Sequence, residues 1–219
     1  MKVLLFGATG MVGQGVLREC LLDPEIERVL AIGRSATGQQ HPKLTEIVHR
    51  DLPNLAAIEG ELRGYDACFF CLGVSSAGMS EAEYHRVTYE LTLAVAETLA
   101  RLNPGMTFLY VSGAGTDSTE RGRLLWARVK GKTENALLRL PFRAAYMFRP
   151  AAIQPLAGIR SKTRLYRLFY AAAGPVFPVL KVLWPDLVTT TAQLGRAMIQ
   201  VAKQGAPKAV LESRDINRV

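Results

Sequence analysis

With 219 residues, the chain has the length of one well-packed domain and is too short for two full ones. Its hydrophobic share of 49% and charged share of 21% exclude a disordered or low-complexity protein. Three cysteines argue against a disulfide framework and favour a reducing compartment. The first apolar run is too short for a secretory signal peptide, so cytoplasmic residence is predicted.

Short apolar runs alternate with helical patterns along most of the chain. We predict strands at 2–6, 28–33, 45–48, 66–72, 107–111, 144–148 and 208–212, and helices at 12–22, 80–102, 121–139 and 189–203. Between them, residues 151–188 lack this alternation and are interpreted as a substrate-side insertion or lid. The alternation predicts an α/β fold, a three-layer, doubly wound and mostly parallel sheet, in a single domain over residues 1–219.

A glycine-rich turn joins the first predicted strand to the first helix. Its sequence is Gly7-Ala8-Thr9-Gly10-Met11-Val12-Gly13. Glycines at these positions permit a sharp turn, close approach of the main chain to a pyrophosphate and tight packing of the helix on the sheet. The helix N-terminus then offers unpaired N–H groups to phosphates. A tight turn in another kind of α/β protein is the alternative, but the strand-turn-helix context favours a dinucleotide cofactor.

The end of the second strand discriminates between the two nicotinamide cofactors. An acid there would bind the ribose 2′-hydroxyl, whereas an arginine suits a 2′-phosphate. Here Arg34 and Ser35 follow the strand without an acid, which predicts NADP(H). The alternative is an exposed arginine that ends a strand. Asp51, after the third strand, is placed either to meet the adenine amino group or to cap the next turn.

Cys68 and Cys71 have the C-x-x-C spacing of some redox sites. They lie in a predicted buried strand, where residues three apart face opposite sides, so buried core thiols are expected. The three histidines show no metal-ligand spacing, and no metal is expected.

Positive charge concentrates between residues 136 and 185, a stretch without Asp or Glu. Its eight cations are Arg139, Arg143, Arg149, Arg160, Lys162, Arg164, Arg167 and Lys181. A solvated basic face is one interpretation, and a surface for an acidic partner or a peripheral membrane contact is the other. Nucleic acid is not expected, because no binding motif is present. The apolar segment 168–184 is interrupted by glycine and proline and is a poor spanning helix. It is either a buried segment of the substrate side or a membrane-surface or dimer contact.

The chain resembles the atypical, extended-type short-chain dehydrogenase/reductase superfamily over almost its whole length, most closely its epimerase-like and NmrA-like members. The resemblance rests on the glycine turn, Arg34, Asp51-Leu52, Cys71-Leu72-Gly73, Val111-Ser112, Val129-Lys130-Gly131 and Phe148-Arg149-Pro150. It implies an NAD(P)-binding Rossmann domain. The cofactor-binding residues it implies are Gly7, Thr9, Gly10, Met11, Val12, Gly13, Arg34, Ser35, Asp51, Leu52, Cys71, Leu72, Gly73, Lys130, Arg149 and Pro150.

The same resemblance implies catalytic roles for Ser112 and Lys130, the lysine holding the nicotinamide ribose and lowering the pKa of a catalytic tyrosine. This sequence departs from the family at that tyrosine, because Trp126 stands four residues before Lys130. Indole donates a hydrogen bond but does not titrate in the useful range. The groups that could replace the tyrosine are Tyr84, Tyr110, Tyr146 and Ser112 itself, with Tyr110 expected to point away from Ser112.

Two functions follow as hypotheses. The first is an NADP(H)-dependent oxidoreductase or epimerase acting on an unidentified small substrate. The second is a non-catalytic NADP(H)-responsive regulator or scaffold that binds a partner through residues 136–185. A monomer and a homodimer both remain open.

Overall fold

The computed structural model describes residues 1–155 and 186–219. The predicted apolar segment 168–184 lies outside these residues. So do most of the predicted lid at 151–188 and five of the eight cations in the basic stretch 136–185.

Seven strands form one parallel sheet in the order β3-β2-β1-β4-β5-β6-β9. They are β1 (Lys2–Phe6), β2 (Arg28–Gly33), β3 (Leu44–Val48), β4 (Ala67–Phe70), β5 (Thr107–Val111), β6 (Ala144–Arg149) and β9 (Val210–Glu212). A separate parallel pair consists of β7 (Ala152–Gln154) and β8 (Val188–Thr190). The predicted doubly wound α/β fold is confirmed. The strand order reverses between β1 and β4, and ligands bind at such a switch point, outside the carboxyl ends of the strands.

Helices cover both faces of the sheet. They are α1 (Met11–Leu22), α2 (Glu81–His85), α3 (Leu91–Leu102), α4 (Leu125–Leu137), α5 (Thr191–Gln204) and α6 (Ser213–Ile216), with a 3₁₀ helix at Ala56–Leu62. The sequence analysis missed the 3₁₀ helix, α6 and the β7–β8 pair. Each is too short to show a hydrophobic period.

Strand β1 shows how one sheet separates two cores. Val3 and Leu5 pack in the cluster formed with α1 and α5, whereas Leu4 and Phe6 pack in the cluster formed with α3 and the neighbouring strands. All four side chains are fully buried. Because successive side chains of a strand point to opposite faces and both faces are covered, the strand is apolar at every position.

The predicted helix at 80–102 is interrupted by a π-helical turn at Arg86–Glu90. Ser80 caps its start, accepting from the N–H of Glu83, whose carboxylate accepts from the N–H of Ser80. Inside the helix, the Thr92 hydroxyl donates to the Thr88 carbonyl oxygen at 2.5 Å. Such back-bonding of threonine competes with regular helix geometry and often bends helices.

Helix α4 begins at Leu125, four residues later than predicted. The Asp117 carboxylate accepts hydrogen bonds from the backbone N–H groups of Thr119, Arg121 and Gly122. These bonds hold residues 117–122 in a compact loop that precedes the helix. Local side-chain to backbone bonding of this kind competes with helix formation.

Candidate functional site

The glycine turn after β1 has no room for side chains. Gly7 has a φ of +84°, and a Cβ there would lie 2.7 Å from the carbonyl carbon of Cys71. A Cβ on Gly13 would lie 2.0 Å from the carbonyl oxygen of Gly7. Gly10 caps α1 without a side chain, and the first turn of α1 holds no acid. The turn therefore presents bare N–H groups and the positive end of the helix dipole, which fits the diphosphate of a dinucleotide. The half-buried Thr9, Met11 and Val12 complete it.

A recess extends from this turn across the ends of β2 and β3. Its lining includes Gly7, Thr9, Arg34, Ser35, Thr37, Glu46, Ile47, Leu52 and Leu72. Six residues predicted to bind the cofactor therefore meet in one recess. Arg34 and Ser35 are exposed at the end of β2, as is Asp51, which is not among the lining residues.

The sequence analysis missed Glu46, which lies on β3 beside Ala31 of β2. Its Oε1 atom accepts the N–H of Thr37 at 2.7 Å, which fixes the carboxylate within the same recess as Arg34. An acid inside a strand next to β2 was the available signal. The recess thus holds fixed groups of both signs where the adenosine ribose of a dinucleotide is expected.

Cys68 and Cys71 pack on opposite faces of the sheet, as predicted. Burial raises the pKa of both thiols. A thiol held protonated is a poor nucleophile, so this pair does not act as a redox site. Gly73, at the end of the same predicted motif, is exposed.

Ser112 follows β5 and is 7% exposed. Its Oγ atom lies 2.5 Å from Oε1 of Glu134 and 3.2 Å from the carbonyl oxygen of Phe148. Both neighbours are acceptors, so the hydroxyl proton is bound within the protein. The side chain predicted to orient a substrate is engaged by α4 instead.

Arg149, at the end of β6, forms a buried ion pair with Glu134 on α4. Its Nε lies 3.0 Å from Oε1 of Glu134, and its remaining nitrogens donate to Glu134, to Ser118 at 2.6 Å and to Glu212 at 3.2 Å. Glu134 is 1% exposed, and its charge raises the pKa of Arg149. The guanidinium therefore belongs to the interior, and the interpretation of Arg149 as part of a solvated basic face is wrong.

The main chain after Arg149 turns along the same edge of the sheet. Pro150 is buried, and its carbonyl oxygen accepts the N–H of Ala114 at 3.0 Å. This contact joins the loop after β5 to the loop after β6.

Lys130 extends from α4 to the end of β5. Its Nζ atom donates to the carbonyl oxygen of Ser112 at 2.5 Å. Burial lowers the pKa of Lys130 to about 8, although the nearby Glu134 carboxylate acts in the opposite direction. The structure thus brings the two predicted catalytic residues together, through the backbone of Ser112 and not its hydroxyl.

Trp126, one turn before Lys130, is half-buried beside the loop after β5. A Cβ on Gly115 would come within 3.3 Å of the Trp126 ring, so the indole lies directly against this glycine. The ring fills the wall of the site without supplying a titratable group.

None of the three candidate tyrosines replaces the missing one. Tyr84 and Tyr110 are each 1% exposed, and burial raises the pKa of Tyr110 far above its usual range. Tyr146 packs on the α1–α5 core, and its hydroxyl accepts the N–H of Ala206. The expectation that Tyr110 points away from Ser112 is wrong, because Tyr110 bonds to Thr133 and both residues reach α4. Residues two apart in an extended chain share a face.

Glu134 is the central residue that the sequence analysis did not single out. It follows Lys130 by four positions, the spacing at which two helical residues share a face. That spacing was the available signal. Nothing in the sequence connects Glu134 to Arg149, which lies on a different strand.

Over residues 1–155 and 186–219, no helix has the length and apolar character needed to cross a membrane. In that same part of the chain, no three His, Cys, Asp or Glu side chains converge in a way that could hold a metal ion.

Fungal relatives share much of the sequence. The chain is 30% identical over 194 residues to Protein fmp52, mitochondrial, of Emericella nidulans, covering 84% of this chain and 80% of that protein. It is 28% identical over 167 residues to Protein FMP52, mitochondrial, of Saccharomyces cerevisiae, covering 75% and 69%. These names contradict the prediction of cytoplasmic residence. That prediction tested the sequence only for a secretory signal, and a mitochondrial address has a different composition.

Solved structures share the fold at low sequence identity. Bordetella bronchiseptica WbmF in complex with NAD⁺ superposes with a TM-score of 0.68 at 15% identity, covering 99% of this chain and 76% of that one. MoeE5 in complex with UDP-glucose and NAD gives 0.70 at 19% identity, covering 97% and 75%.

The family model described as the NAD dependent epimerase/dehydratase family matches residues 3–120, which run from β1 through the loop after β5. The resemblance to the extended short-chain dehydrogenase/reductase superfamily is confirmed. This chain belongs to the NAD-dependent epimerase/dehydratase family.

Proposed function

We propose that this protein binds NADP(H) and acts as an oxidoreductase or epimerase on a small-molecule substrate. The observation that carries the proposal is the continuity of the bare glycine turn with the recess that holds Arg34. Backbone N–H groups suit a diphosphate, and a guanidinium beside them suits a second, separate phosphate.

The residues present fit such a cofactor. The glycine turn would hold the diphosphate, Arg34 and Ser35 the 2′-phosphate, and Leu52 and Leu72 the adenine. Lys130 lies at the end of β5, where the nicotinamide half is expected. The nicotinamide supplies the hydride chemistry when bound.

Glu46 favours a competing assignment, the unphosphorylated cofactor NAD(H). Its carboxylate is fixed by Thr37 in the same recess and would repel a 2′-phosphate. The two groups make opposite predictions for the two cofactors, so substitution of each separates the assignments.

The experiment measures thermal stabilisation and calorimetric affinity with NADP⁺, NADPH, NAD⁺ and NADH. Loss of a charged hydrogen bond costs about 1.5–3 kcal/mol, so Arg34→Gln should weaken NADP⁺ binding about 10- to 100-fold and leave NAD⁺ binding nearly unchanged. Glu46→Gln should strengthen NADP⁺ binding. Arg63→Gln, at an exposed arginine outside the recess, is the matched control. Equal responses of wild type to all four nucleotides would refute the NADP(H) preference.

Trp126 favours the second candidate, a non-catalytic NADP(H) sensor, because the usual acid–base group is replaced. Its partner surface would include the exposed Arg139 and Arg143 of the basic stretch. NADPH oxidation that depends on an added substrate and is lost in site variants contradicts this candidate. Cofactor binding without turnover of any substrate supports it.

A further inference from the structure

A proton donor is required wherever a carbonyl oxygen becomes a hydroxyl, and the edge of the sheet after β5 restricts the candidates. Trp126 cannot titrate in the useful range. Tyr84 and Tyr110 are sealed in the core. The Ser112 hydroxyl faces two acceptors. The Glu134 carboxylate is occupied by Ser112 and Arg149, which hold it ionised.

Lys130 differs from each of these groups. Within the described residues its Nζ makes one hydrogen bond, to the Ser112 carbonyl oxygen, so two of its three ammonium protons are not committed to protein acceptors. That bond and the packing of α4 fix the nitrogen at the carboxyl end of β5. A Cβ built on Gly113 would lie 4.0 Å from both Nζ and the Pro150 carbonyl oxygen, so the amine borders the loop beside the predicted substrate side.

We propose that the amine of Lys130 is itself the acid and base that exchanges a proton with a carbonyl or alcohol substrate. The inference rests on the proposed NADP(H) function. In reduction, the carbonyl carbon receives the hydride of the reduced cofactor, and the carbonyl oxygen takes a proton from Nζ, which regains it from solvent. In oxidation, neutral Nζ accepts the hydroxyl proton. Ser112 positions this amine through its backbone carbonyl.

The surroundings of Lys130 suit this role. Desolvation favours the neutral amine, and the pKa of about 8 keeps both protonation states populated near neutral pH. Glu134 limits this effect, because its negative charge stabilises the ammonium. An arginine at this position would keep the charge and lose the exchange, since guanidinium does not deprotonate in proteins.

The first test needs no substrate. In the cofactor-free protein with ¹³Cε-labelled lysine, the signal missing from Lys130→Arg identifies residue 130, and its chemical shift is followed against pH. We expect a midpoint near 8. Lys132→Arg, two residues along α4, is the matched control, because Lys132 lies over the Tyr89 ring and beside His85 instead. A Lys130 midpoint above about 10, the usual range of lysine, overturns the proposal.

The second test measures NADPH oxidation with 9,10-phenanthrenequinone as the carbonyl probe. Loss of general acid catalysis should lower kcat of Lys130→Arg about 100-fold or more, with thermal stabilisation by NADPH retained and Lys132→Arg unchanged. The wild-type rate of reduction should fall as pH rises through 8. Retention of the rate in Lys130→Arg, or no reduction of the quinone by wild type with NADPH bound, overturns the role of Lys130. Failure of wild type to bind NADPH overturns the proposed function itself, and calorimetry reports that result separately.

Discussion

The two halves of the candidate site are built from different materials. At the β1–β3 edge, the groups that would meet a cofactor are backbone N–H groups and side chains from one short turn and two strand ends. At the β5–α4–β6 edge, Ser112, Lys130, Glu134 and Arg149 come from three elements and hold one another in a buried network. The first half depends on the absence of side chains, and the second depends on their pairing. Substitutions should therefore affect the two halves in different ways.

Glu134→Gln should have the largest effect on stability. It removes the charge that compensates Arg149 in the interior, and breaking a buried ion pair costs about 3–5 kcal/mol. The matched control is Glu212→Gln, which removes a half-exposed partner of the same Arg149 and should change the free energy of unfolding by about 1 kcal/mol or less. Urea unfolding measures both variants. Equal losses would show that the network is not centred on Glu134.

Gly13→Ala should have the next largest effect, and it should act on the other half. The added Cβ would overlap the Gly7 carbonyl oxygen, and overpacking of this kind costs roughly 1–3 kcal/mol. It should also abolish stabilisation by NADPH, because the turn must widen. Gly60→Ala, in the 3₁₀ helix with open space around it, serves as the control. A Gly13→Ala protein that still binds NADPH with wild-type affinity would contradict the assignment of the cradle.

The pH dependence of stability should reveal the burial of Lys130. Its folded pKa of about 8 lies below the ordinary value of 10.5, so between these pH values the unfolded chain binds more protons than the folded one. The free energy of unfolding should therefore rise with pH across this window. Lys130→Met removes the contribution, and the difference between wild type and variant gives the sign. Lys132→Met should leave the slope unchanged.

Asp117→Asn should have the smallest effect on global stability. The substitution weakens the acceptor for three backbone N–H groups and should loosen residues 117–122 without unfolding the domain. Limited trypsin digestion at Arg121 and Arg123 measures this, and cleavage there should become faster. Glu61→Gln, an exposed acid far along the chain, is the control. Unchanged cleavage would show that the loop is held by other contacts.

The sequence alone determined the parallel sheet and the cradle. Alternating apolar runs and helical periods give the fold class, because each pattern reports burial within one element. The glycine turn is equally local, since its function depends on seven consecutive residues. Only the tertiary structure decided that the Ser112 hydroxyl is engaged, that Arg149 is buried and that Glu134 joins them. These facts depend on side chains from α4 and β6 meeting at the end of β5, and charge and hydrogen-bond partners separated along the chain leave no periodic trace in a sequence.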